Sequence, residues 1–256
     1  DAEMTHEQGT TYTDAGASAA DTVDTSVDVV TTGSVDSDTA GTYTVTYTAT
    51  DAAGNMAAAV TRKVTVGDTT VPVITLTGDA SVNHEQATAY TDAGATVTDT
   101  VDTFIEVVTA GTVDIATAGT YTLTYSATDS AGNEATAVTR TVTVADTIAP
   151  VIVLNGAASI SHEQGTTYTD AGASASDSVD GSVSVTTSGT VDTTIVGTYT
   201  LTYTATDASS NMATAARSVT VTDSEAPTIT LIGESSINHE QGTTYTDAGA
   251  TASDIA

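Results

Sequence analysis

The sequence predicts an all-β protein built from tandem copies of one small β-sandwich domain. A block that begins His-Glu-Gln recurs at His6, His84, His162 and His239, with spacings of 78, 78 and 77 residues. Apolar and polar residues alternate with a period of two in the clearest segments, which is the pattern of a half-buried strand. The three prolines of the chain fall at one phase of the repeat. A fixed period of this size indicates an array of one repeated unit.

The three prolines predict the domain boundaries. Pro72, Pro150 and Pro227 each follow a four-residue segment that begins with Asp. Proline has no backbone N–H and a fixed φ, so it suits a junction at which an edge strand starts. Because the chain begins inside a repeat, we expect it to be a piece of a longer protein. The predicted domains are 1–71, a repeat without its first strand; 72–149 and 150–226, two complete repeats; and 227–256, the start of a fourth.

Each repeat is expected to open with a short strand directly after its proline. In the third repeat this strand is Pro150-Val-Ile-Val-Leu-Asn-Gly, which ends at a glycine turn. Further strands are predicted over Thr166–Ala173 and Ser182–Thr187, bounded by Gly and Asp turn signals.

The clearest strand of the third repeat is Gly197–Asp207. Tyr199, Leu201, Tyr203 and Ala205 alternate there with threonines, so one apolar face points inward and one Thr face points to water. A loop and a second alternating strand, Arg217-Ser-Val-Thr-Val-Thr, come next. The same alternation occurs at Gly41–Asp51 and Gly119–Asp129.

These elements add up to about seven short strands in each repeat of roughly 80 residues, which is typical of an immunoglobulin-like sandwich. No helical period is present. The chain has no Cys and no Trp, so the disulfide and Trp core of antibody domains is absent. The Tyr-rich strand supplies either a tyrosine corner or simple aromatic filling of the core. We therefore predict a tandem array of immunoglobulin-like β-sandwich domains.

The composition excludes several classes of function. The chain has 33 acidic and 4 basic residues and a net charge of −29. Nucleic acid is excluded as a partner because phosphate neutralisation needs Lys and Arg, and ion pairing is expected to be a minor term. No apolar run reaches the length of a membrane span, so we expect no membrane insertion in this segment. The charge repels itself in a compact fold, so we expect high salt or divalent cations to offset it.

The His-Glu-Gln block resembles the start of a zinc-protease motif, but it lacks the second His. Threonine stands at that position in all four copies, and the segment has the pattern of a strand and a turn. We therefore expect no enzyme activity and no catalytic residues. The His is expected to make local hydrogen bonds, and the alternative is a pH-sensitive contact at a domain junction. The four threonines are Thr10, Thr88, Thr166 and Thr243.

The acidic residues recur at one phase of the repeat, mainly in loops. In a head-to-tail stack of such sandwiches, the first turn and linker of one domain face two loops of the next. Carboxylate, amide and backbone oxygens in such number suit Ca²⁺, which takes about 6–8 oxygen ligands in flexible geometry. The predicted ligands are Glu7, Asp68, Asp99, Asp102, Asp129 and Asn133 at the first junction, and Glu85, Asp146, Asp177, Asp180, Asp207 and Asn211 at the second.

The alternative is that these residues only form turns, since Asp and Asn cap turns without any metal. The high net charge favours the calcium hypothesis, because a divalent ion removes the repulsion between crowded acids.

The order of these motifs resembles a bacterial immunoglobulin-like repeat. The motifs are Pro-Val-Ile-x-Leu-x-Gly, Tyr-Thr-Asp-Ala-Gly-Ala, Val-Asp-Gly and Gly-Thr-Tyr-Thr-Leu-Thr-Tyr-Thr-Ala-Thr-Asp, followed by Gly-Asn and a closing Arg-x-Val-Thr-Val. Such repeats occur in pesticidal crystal proteins, large surface adhesins and secreted hydrolases, and their plan is similar to the hyalin repeat. The resemblance implies the fold and a spacer or binding role with no common activity. Val-Asp-Gly is intact only at Val179–Gly181; the first two copies have Thr25 and Thr103 in place of the glycine.

Two classes of function fit these observations. The first is a non-catalytic structural or adhesive segment of an exported bacterial-type protein: a cell-surface stalk, adhesin body or biofilm-matrix fibre, stiffened by calcium. Its partners are neighbouring repeats and other copies of the chain, which assemble into filaments if the partial end repeats exchange strands. The second is an accessory module of a secreted enzyme or toxin that binds a polysaccharide or a receptor.

Overall fold

The computed structural model describes residues 2–254, which fold into strands, turns and bends without a helix. The all-β prediction is therefore confirmed. The chain forms two compact units: Asp1–His84 with Thr88–Ala145, and Glu85–Ala87 with Asp146–Ala256.

The strands follow one another along the chain without any other regular element. In order they are β1 (Glu3–Glu7), β2 (Val29–Thr32), β3 (Gly41–Ala49), β4 (Val60–Gly67), β5 (Val73–Leu76), β6 (Ser81–Glu85), β7 (Ala95–Thr98), β8 (Val108–Ala110), β9 (Gly119–Ser126), β10 (Val138–Ala145), β11 (Val151–Leu154), β12 (Ser159–Glu163), β13 (Ala173–Asp177), β14 (Gly181–Val183), β15 (Val185–Ser188), β16 (Gly197–Thr206), β17 (Met212–Thr222), β18 (Thr228–Leu231) and β19 (Ala250–Ser253).

The third repeat, in the second unit, has the seven strands that the sequence predicts. A three-stranded sheet has the order β11-β13-β14, and a four-stranded sheet has the order β12-β17-β16-β15. All pairs are antiparallel except β12 with β17, which run parallel. Two sheets facing each other with this order form an immunoglobulin-like sandwich.

The first unit repeats the four-stranded sheet twice, as β1-β4-β3-β2 and β6-β10-β9-β8. None of its described strands corresponds to β14, and in the first repeat only an isolated bridge between Ala19 and Val27 stands where β13 pairs with β14 in the third repeat. Gly181 opens β14 with φ +71, directly after a tight turn that pairs it with Asp177. Thr25 and Thr103 stand at the equivalent positions, and neither adopts positive φ. A β-branched residue is strained in that region of φ, which explains why only the third repeat completes this hairpin.

The strand predicted over Thr166–Ala173 is wrong. Residues 164–172 form a turn and irregular chain, and the strand is β13. Local hydrogen bonds hold this segment instead: the Thr166 hydroxyl donates to the Glu163 backbone oxygen over 2.8 Å. Side chains that bond the nearby backbone compete with strand pairing. The first three copies of the His-Glu-Gln block form the end of a strand and a turn, as predicted, whereas the copy at His239 lies in irregular chain before its turn.

The core confirms the predicted alternation. Leu201, Tyr203 and Ala205 of β16 are buried, as are Val219 and Val221 of β17, while the threonines between them face outward. Each such apolar side chain contributes about 1.5–3 kcal/mol when fully buried. The three edge strands predicted after the prolines are also present: β5, β11 and β18 each begin one residue after a proline and end a sheet.

The tyrosines of the long strands fill both predicted roles. The Tyr199 hydroxyl donates to the Ile195 backbone oxygen over 2.9 Å, which is the geometry of a tyrosine corner. Tyr43 and Tyr121 make the same bond in the first unit. Tyr203, four residues further along, has no exposed surface and fills the core.

Three of the four basic residues are buried or nearly buried ion-pair partners, although composition alone predicts ion pairing to be a minor term. Arg140 is 1% exposed and pairs with Asp92, and its Nη1 also donates to the Tyr125 hydroxyl over 2.9 Å. Burial raises the pKa of Tyr125 to about 12, with a further contribution from Asp92. Arg62 and Arg217 make the equivalent pairs with Asp14 and Asp170. Ion pairs are few, but one anchors each sandwich.

Candidate functional site

The candidate site begins with the aspartate that follows the last strand of a repeat. We call residues 68–72 the first linker and 146–150 the second linker. Asp146 opens the second linker directly after β10 and is only 6% exposed. Its Oδ1 accepts the Ile148 backbone N–H over 3.4 Å, and its buried Oδ2 has no hydrogen-bond donor. Asp68 has the same place in the first linker, and its Oδ2 is also buried without a donor.

The second element is the loop after β13 in the third repeat. Asp177 Oδ1 accepts the backbone N–H groups of Val179 and Asp180 over 2.7 and 3.2 Å, which closes a tight turn. Asp180 Oδ2 accepts the Ala208 N–H over 2.7 Å and so connects this loop to the loop after β16. Asp99 and Asp102 make the corresponding bonds in the second repeat.

The third element is the loop between the two longest strands. Asp207 is 8% exposed, and its carboxylate accepts both the backbone and side-chain N–H groups of Asn211, over 2.7 and 2.9 Å. The Asn211 side chain also donates to the Asp146 backbone oxygen over 3.2 Å. Asn211 therefore joins the second linker to this loop. Asn133 does the same between Asp129 and Asp68.

These elements bring carboxylates together in two clusters. We call Asp68, Asp102 and Asp129 the first cluster, and Asp146, Asp180 and Asp207 the second cluster. In each, one oxygen from every carboxylate lies within 4.8 Å of the others. Asp99 and Asp177 adjoin the clusters, and each has one buried oxygen without a donor. Each cluster lies within one compact unit.

In each cluster the linker aspartate has a raised pKa. Burial raises the pKa of Asp68, and the charges of Asp99 and Asp129 raise it further. Burial also raises the pKa of Asp146, together with the charges of Asp177 and Asp207. A buried anion without an opposite charge is costly, so both clusters are suited to a bound cation.

The predicted ligands divide into three groups. The eight aspartates named above lie at the clusters. Asn133 and Asn211 also lie there, but their side-chain nitrogens donate hydrogen bonds, so they hold the linker and loop together rather than offering that atom to a metal.

Glu7 and Glu85 lie outside both clusters. The Glu85 carboxylate accepts the Thr147 backbone N–H over 3.1 Å and also the Thr147 hydroxyl. Glu7 holds Thr69 in the same way, and these bonds lower its pKa against the opposing effect of burial. The Glu of the His-Glu-Gln block therefore binds the second residue of the linker, Thr69 or Thr147. These hydrogen bonds do not involve the loops of the next repeat.

The His of the block makes the local contacts expected from the sequence. His84 Nε2 lies 3.0 Å from the backbone oxygen and 3.2 Å from the hydroxyl of Thr88. Its ring meets Tyr90 edge to face. The threonine in place of a second zinc-binding His is thus the hydrogen-bond partner of the first.

The first repeat carries the same loops without a linker aspartate. Asp21 caps the turn at Val23, Asp24 accepts the Ala52 N–H, and Asp51 binds Asn55. Asp21, Asp24 and Asp51 belong to neither cluster among residues 2–254, so these loops serve as an internal reference. The repeat period alone predicts the positions of Asp21, Asp24 and Asp51.

Comparison with solved structures gives remote similarity only. A lipoprotein from Bacteroides thetaiotaomicron is 20% identical, with 40% of this chain and 51% of that chain covered and a TM-score of 0.28. The CBM51-2 and INT domains of Clostridium perfringens ZmpB are 22% identical, covering 34% and 21%, with a TM-score of 0.25. Drosophila N-cadherin EC1-4 is 15% identical, covering 78% and 68%, with a TM-score of 0.30. The chain thus spans about half or less of the first two structures, and these TM-scores support no shared function.

Comparison with curated proteins gives no match. Over residues 2–254 we find no helix with the length and hydropathy of a membrane span. A family model described as a bacterial surface protein Ig-like domain matches residues 1–66, 74–144 and 152–221. These three matches follow the three repeats that carry the Tyr-rich strand and cover most of the chain. The chain belongs to the bacterial surface protein Ig-like domain family.

Proposed function

We propose that this chain is a non-catalytic structural segment of an exported bacterial surface protein, and that Ca²⁺ stiffens its linkers at the two aspartate clusters. The observation that carries the proposal is the linker aspartate: Asp146 is almost fully buried and its Oδ2 has no donor. Native proteins pair their buried charges, so an unpaired buried carboxylate beside two others points to a cation.

The donor set favours Ca²⁺ over other metals. The second cluster offers carboxylate oxygens from Asp146, Asp180 and Asp207, with Asp177 adjoining, and there is no Cys in the chain. Hard oxygen ligands on loops suit Ca²⁺, which accepts irregular geometry, whereas Mg²⁺ requires a near-ideal octahedron. Backbone oxygens and water would complete the shell.

The proposed ion stiffens a linker because its ligands come from different segments. The first cluster combines Asp68 of the first linker with Asp102 and Asp129 from two loops of the second repeat. The Asn133 side chain already connects the loop to this linker without an ion, because its amide donates to the Asp68 backbone oxygen over 3.3 Å. Extracellular calcium modules bind at about 10⁻⁴–10⁻³ M. At about 10 mM Ca²⁺ each site then adds about 1.5–3 kcal/mol to stability.

Calorimetric titration of the chelator-treated chain with CaCl₂ tests the proposal. We expect two bound ions per chain, a higher Tm, and a narrower distribution of particle lengths in solution scattering. The double variant D68N/D146N should lose these effects. The matched control is D51N, which changes the equivalent loop of the first repeat. Absence of binding heat, together with an unchanged Tm, would overturn the proposal.

The proposed location is the cell surface or extracellular matrix, with roles as an adhesin body, stalk or biofilm-matrix fibre. Membership of a family of bacterial surface domains supports this. The proposed partners are neighbouring repeats and other copies of the chain, and filament assembly would appear as long particles in electron microscopy. The domain limits 1–71, 72–149, 150–226 and 227–256 remain proposals, to be tested by limited proteolysis.

The second candidate is an accessory module of a secreted enzyme or toxin that binds carbohydrate or a receptor. Phe104, the single Phe of the chain, is 89% exposed and follows Asp102 of the first cluster by two residues, which favours a contact role for that loop. Glycan-array binding that is lost on Phe104→Ser would support this candidate. Ser26 and Ser182 occupy the equivalent positions in the other repeats, so the variant is a natural substitution.

A further inference from the structure

The two clusters share one backbone plan but differ in the hydroxyl groups around them. Three pairs of equivalent positions, 78 residues apart, carry the difference. The inference below rests on the proposed calcium function and deepens it. The pairs, with the first cluster named first, are Thr70 and Ile148, Ser130 and Ala208, and Ala131 and Ser209.

In the first cluster, two hydroxyl groups bind the carboxylates. The Thr70 hydroxyl donates to Asp68 Oδ1 over 3.1 Å, in addition to its backbone N–H at 3.3 Å. The Ser130 hydroxyl donates to Asp102 Oδ1 over 3.0 Å, while its N–H binds Oδ2 over 2.7 Å. Both oxygens of Asp102 are therefore occupied by hydrogen bonds.

The second cluster lacks both hydroxyl groups. Ile148 reaches Asp146 only through its backbone N–H, and Ala208 reaches Asp180 Oδ2 only through its N–H. Asp180 Oδ1 accepts no hydrogen bond from the described residues of the protein. The Ser209 hydroxyl lies near Asp146 and acts to lower its pKa, and Asp146 Oδ2 has no donor, as is also true of Asp68 Oδ2 in the first cluster. In the first cluster two hydroxyl groups donate hydrogen bonds to the carboxylates. In the second cluster a single hydroxyl group, that of Ser209, lies near them.

We propose that the second cluster binds Ca²⁺ more tightly than the first, and that Thr70 and Ser130 set the difference. A carboxylate oxygen that accepts a hydrogen bond from a hydroxyl group has less electron density to offer an ion. The hydroxyl must also rotate away before the ion can bind there. Asp146 Oδ1 and Asp180 Oδ1 have no hydroxyl competitor of this kind. The second linker therefore becomes ordered at a lower Ca²⁺ concentration than the first, so that the array stiffens in two steps.

Calorimetric titration of the intact chelator-treated chain with CaCl₂ tests this inference. Each lost hydroxyl bond of ordinary strength corresponds to several-fold in affinity, so we expect two binding classes about tenfold apart. D146N should remove the tighter class and D68N the weaker one. The double variant T70I/S130A should raise the Ca²⁺ affinity of the first cluster to that of the second. The reciprocal double variant I148T/A208S should lower the Ca²⁺ affinity of the second cluster.

The control variant is T122V, which removes an exposed hydroxyl on the outer face of β9, away from both clusters. Its two affinities should match those of the unchanged chain. Binding with equal affinities, a tighter first cluster, or swaps without effect would overturn this inference while leaving calcium binding intact. A titration without any binding would overturn the proposed function itself.

Discussion

The side chain of Asn133 donates to the Asp129 carboxylate over 2.8 Å and to the Asp68 backbone oxygen over 3.3 Å. One side-chain amide thus connects a loop carboxylate to the first residue of the linker. Asn211 repeats the arrangement with Asp207 and Asp146. Asn55 binds Asp51 in the first repeat but reaches no linker among the described residues.

Substitution of Asn133 by Ala should weaken the first calcium site without unfolding the second repeat. The linker oxygen and the Asp129 carboxylate each lose a hydrogen bond, and a net bond of this kind is worth about 0.5–1.5 kcal/mol. We expect Ca²⁺ affinity at the first site to fall about 2–10-fold in a calorimetric titration. N55A is the matched control and should leave both affinities unchanged. Equal effects of the two variants would contradict the bracing role.

Replacement of Asp146 by Asn should raise the Tm of the ion-free chain near neutral pH. Burial raises the pKa of Asp146, so the folded state holds this proton more tightly than the unfolded state. Its ionised form therefore costs stability above the folded pKa, and the cost disappears below the unfolded pKa of about 3.9. The benefit of D146N should fade as the pH falls toward that range.

The same variant should lose the stabilisation by Ca²⁺ at the second site. Thermal scans with chelator and with about 10 mM CaCl₂ separate the two effects, because the expected gain of about 1.5–3 kcal/mol per site applies only where the linker carboxylate is present. A D146N chain that is less stable than the parent in chelator at neutral pH would contradict the electrostatic argument.

The Arg140–Asp92 pair should be essential to its sandwich. Arg140 is 1% exposed, so D92A leaves its guanidinium buried without a counter-charge. Removing one partner of a buried pair costs about 3–5 kcal/mol, which denaturant unfolding would measure. The exposed pair of Lys63 with Glu3, at 3.8 Å, is the control, and E3A should cost less than about 1 kcal/mol.

The pH dependence of this pair follows from the lowered pKa of Asp92. Burial acts to raise that pKa, but hydrogen bonds from Tyr125 and Arg140 hold it below its ordinary value. The pair therefore contributes stability above the unfolded pKa, and this contribution is lost as the pH falls through the folded pKa. D92N should show a flatter stability profile below about pH 4 than the parent chain. Identical acid profiles would rule out this role.

Substitution of Thr147 by Val should loosen the second linker. The variant removes the hydroxyl bond to Glu85 and keeps the backbone bond at 3.1 Å. The site is exposed, so we expect a loss of about 1 kcal/mol or less in global stability. Limited proteolysis should nevertheless cleave residues 146–150 several times faster, because local opening needs less energy than unfolding. T122V, on the outer face of β9, provides the control.

Much of the fold follows from local patterns. The alternation in Gly197–Thr206 predicts a strand with one buried face, because side chains point to opposite faces at every second residue. The fixed phase of Pro72 and Pro150 predicts an edge strand at Val73 and Val151 for a similarly local reason, the missing N–H. The segment after Glu163 is different: its polar side chains bind nearby backbone, and the strand predicted there does not form.

The sequence by itself determined the array, the core alternation, the loop aspartates and the absence of the second His, since each depends on residue type and spacing. Tertiary structure alone decided which oxygens are buried and unpaired, as at Asp146, and which acids have other partners, as Glu85 does with Thr147. It also decided that Arg140 meets Asp92 in the core. Charge and hydrogen-bond partners depend on distances between residues that are 48 to 65 positions apart in these contacts, and these distances exist only after the sheets have packed.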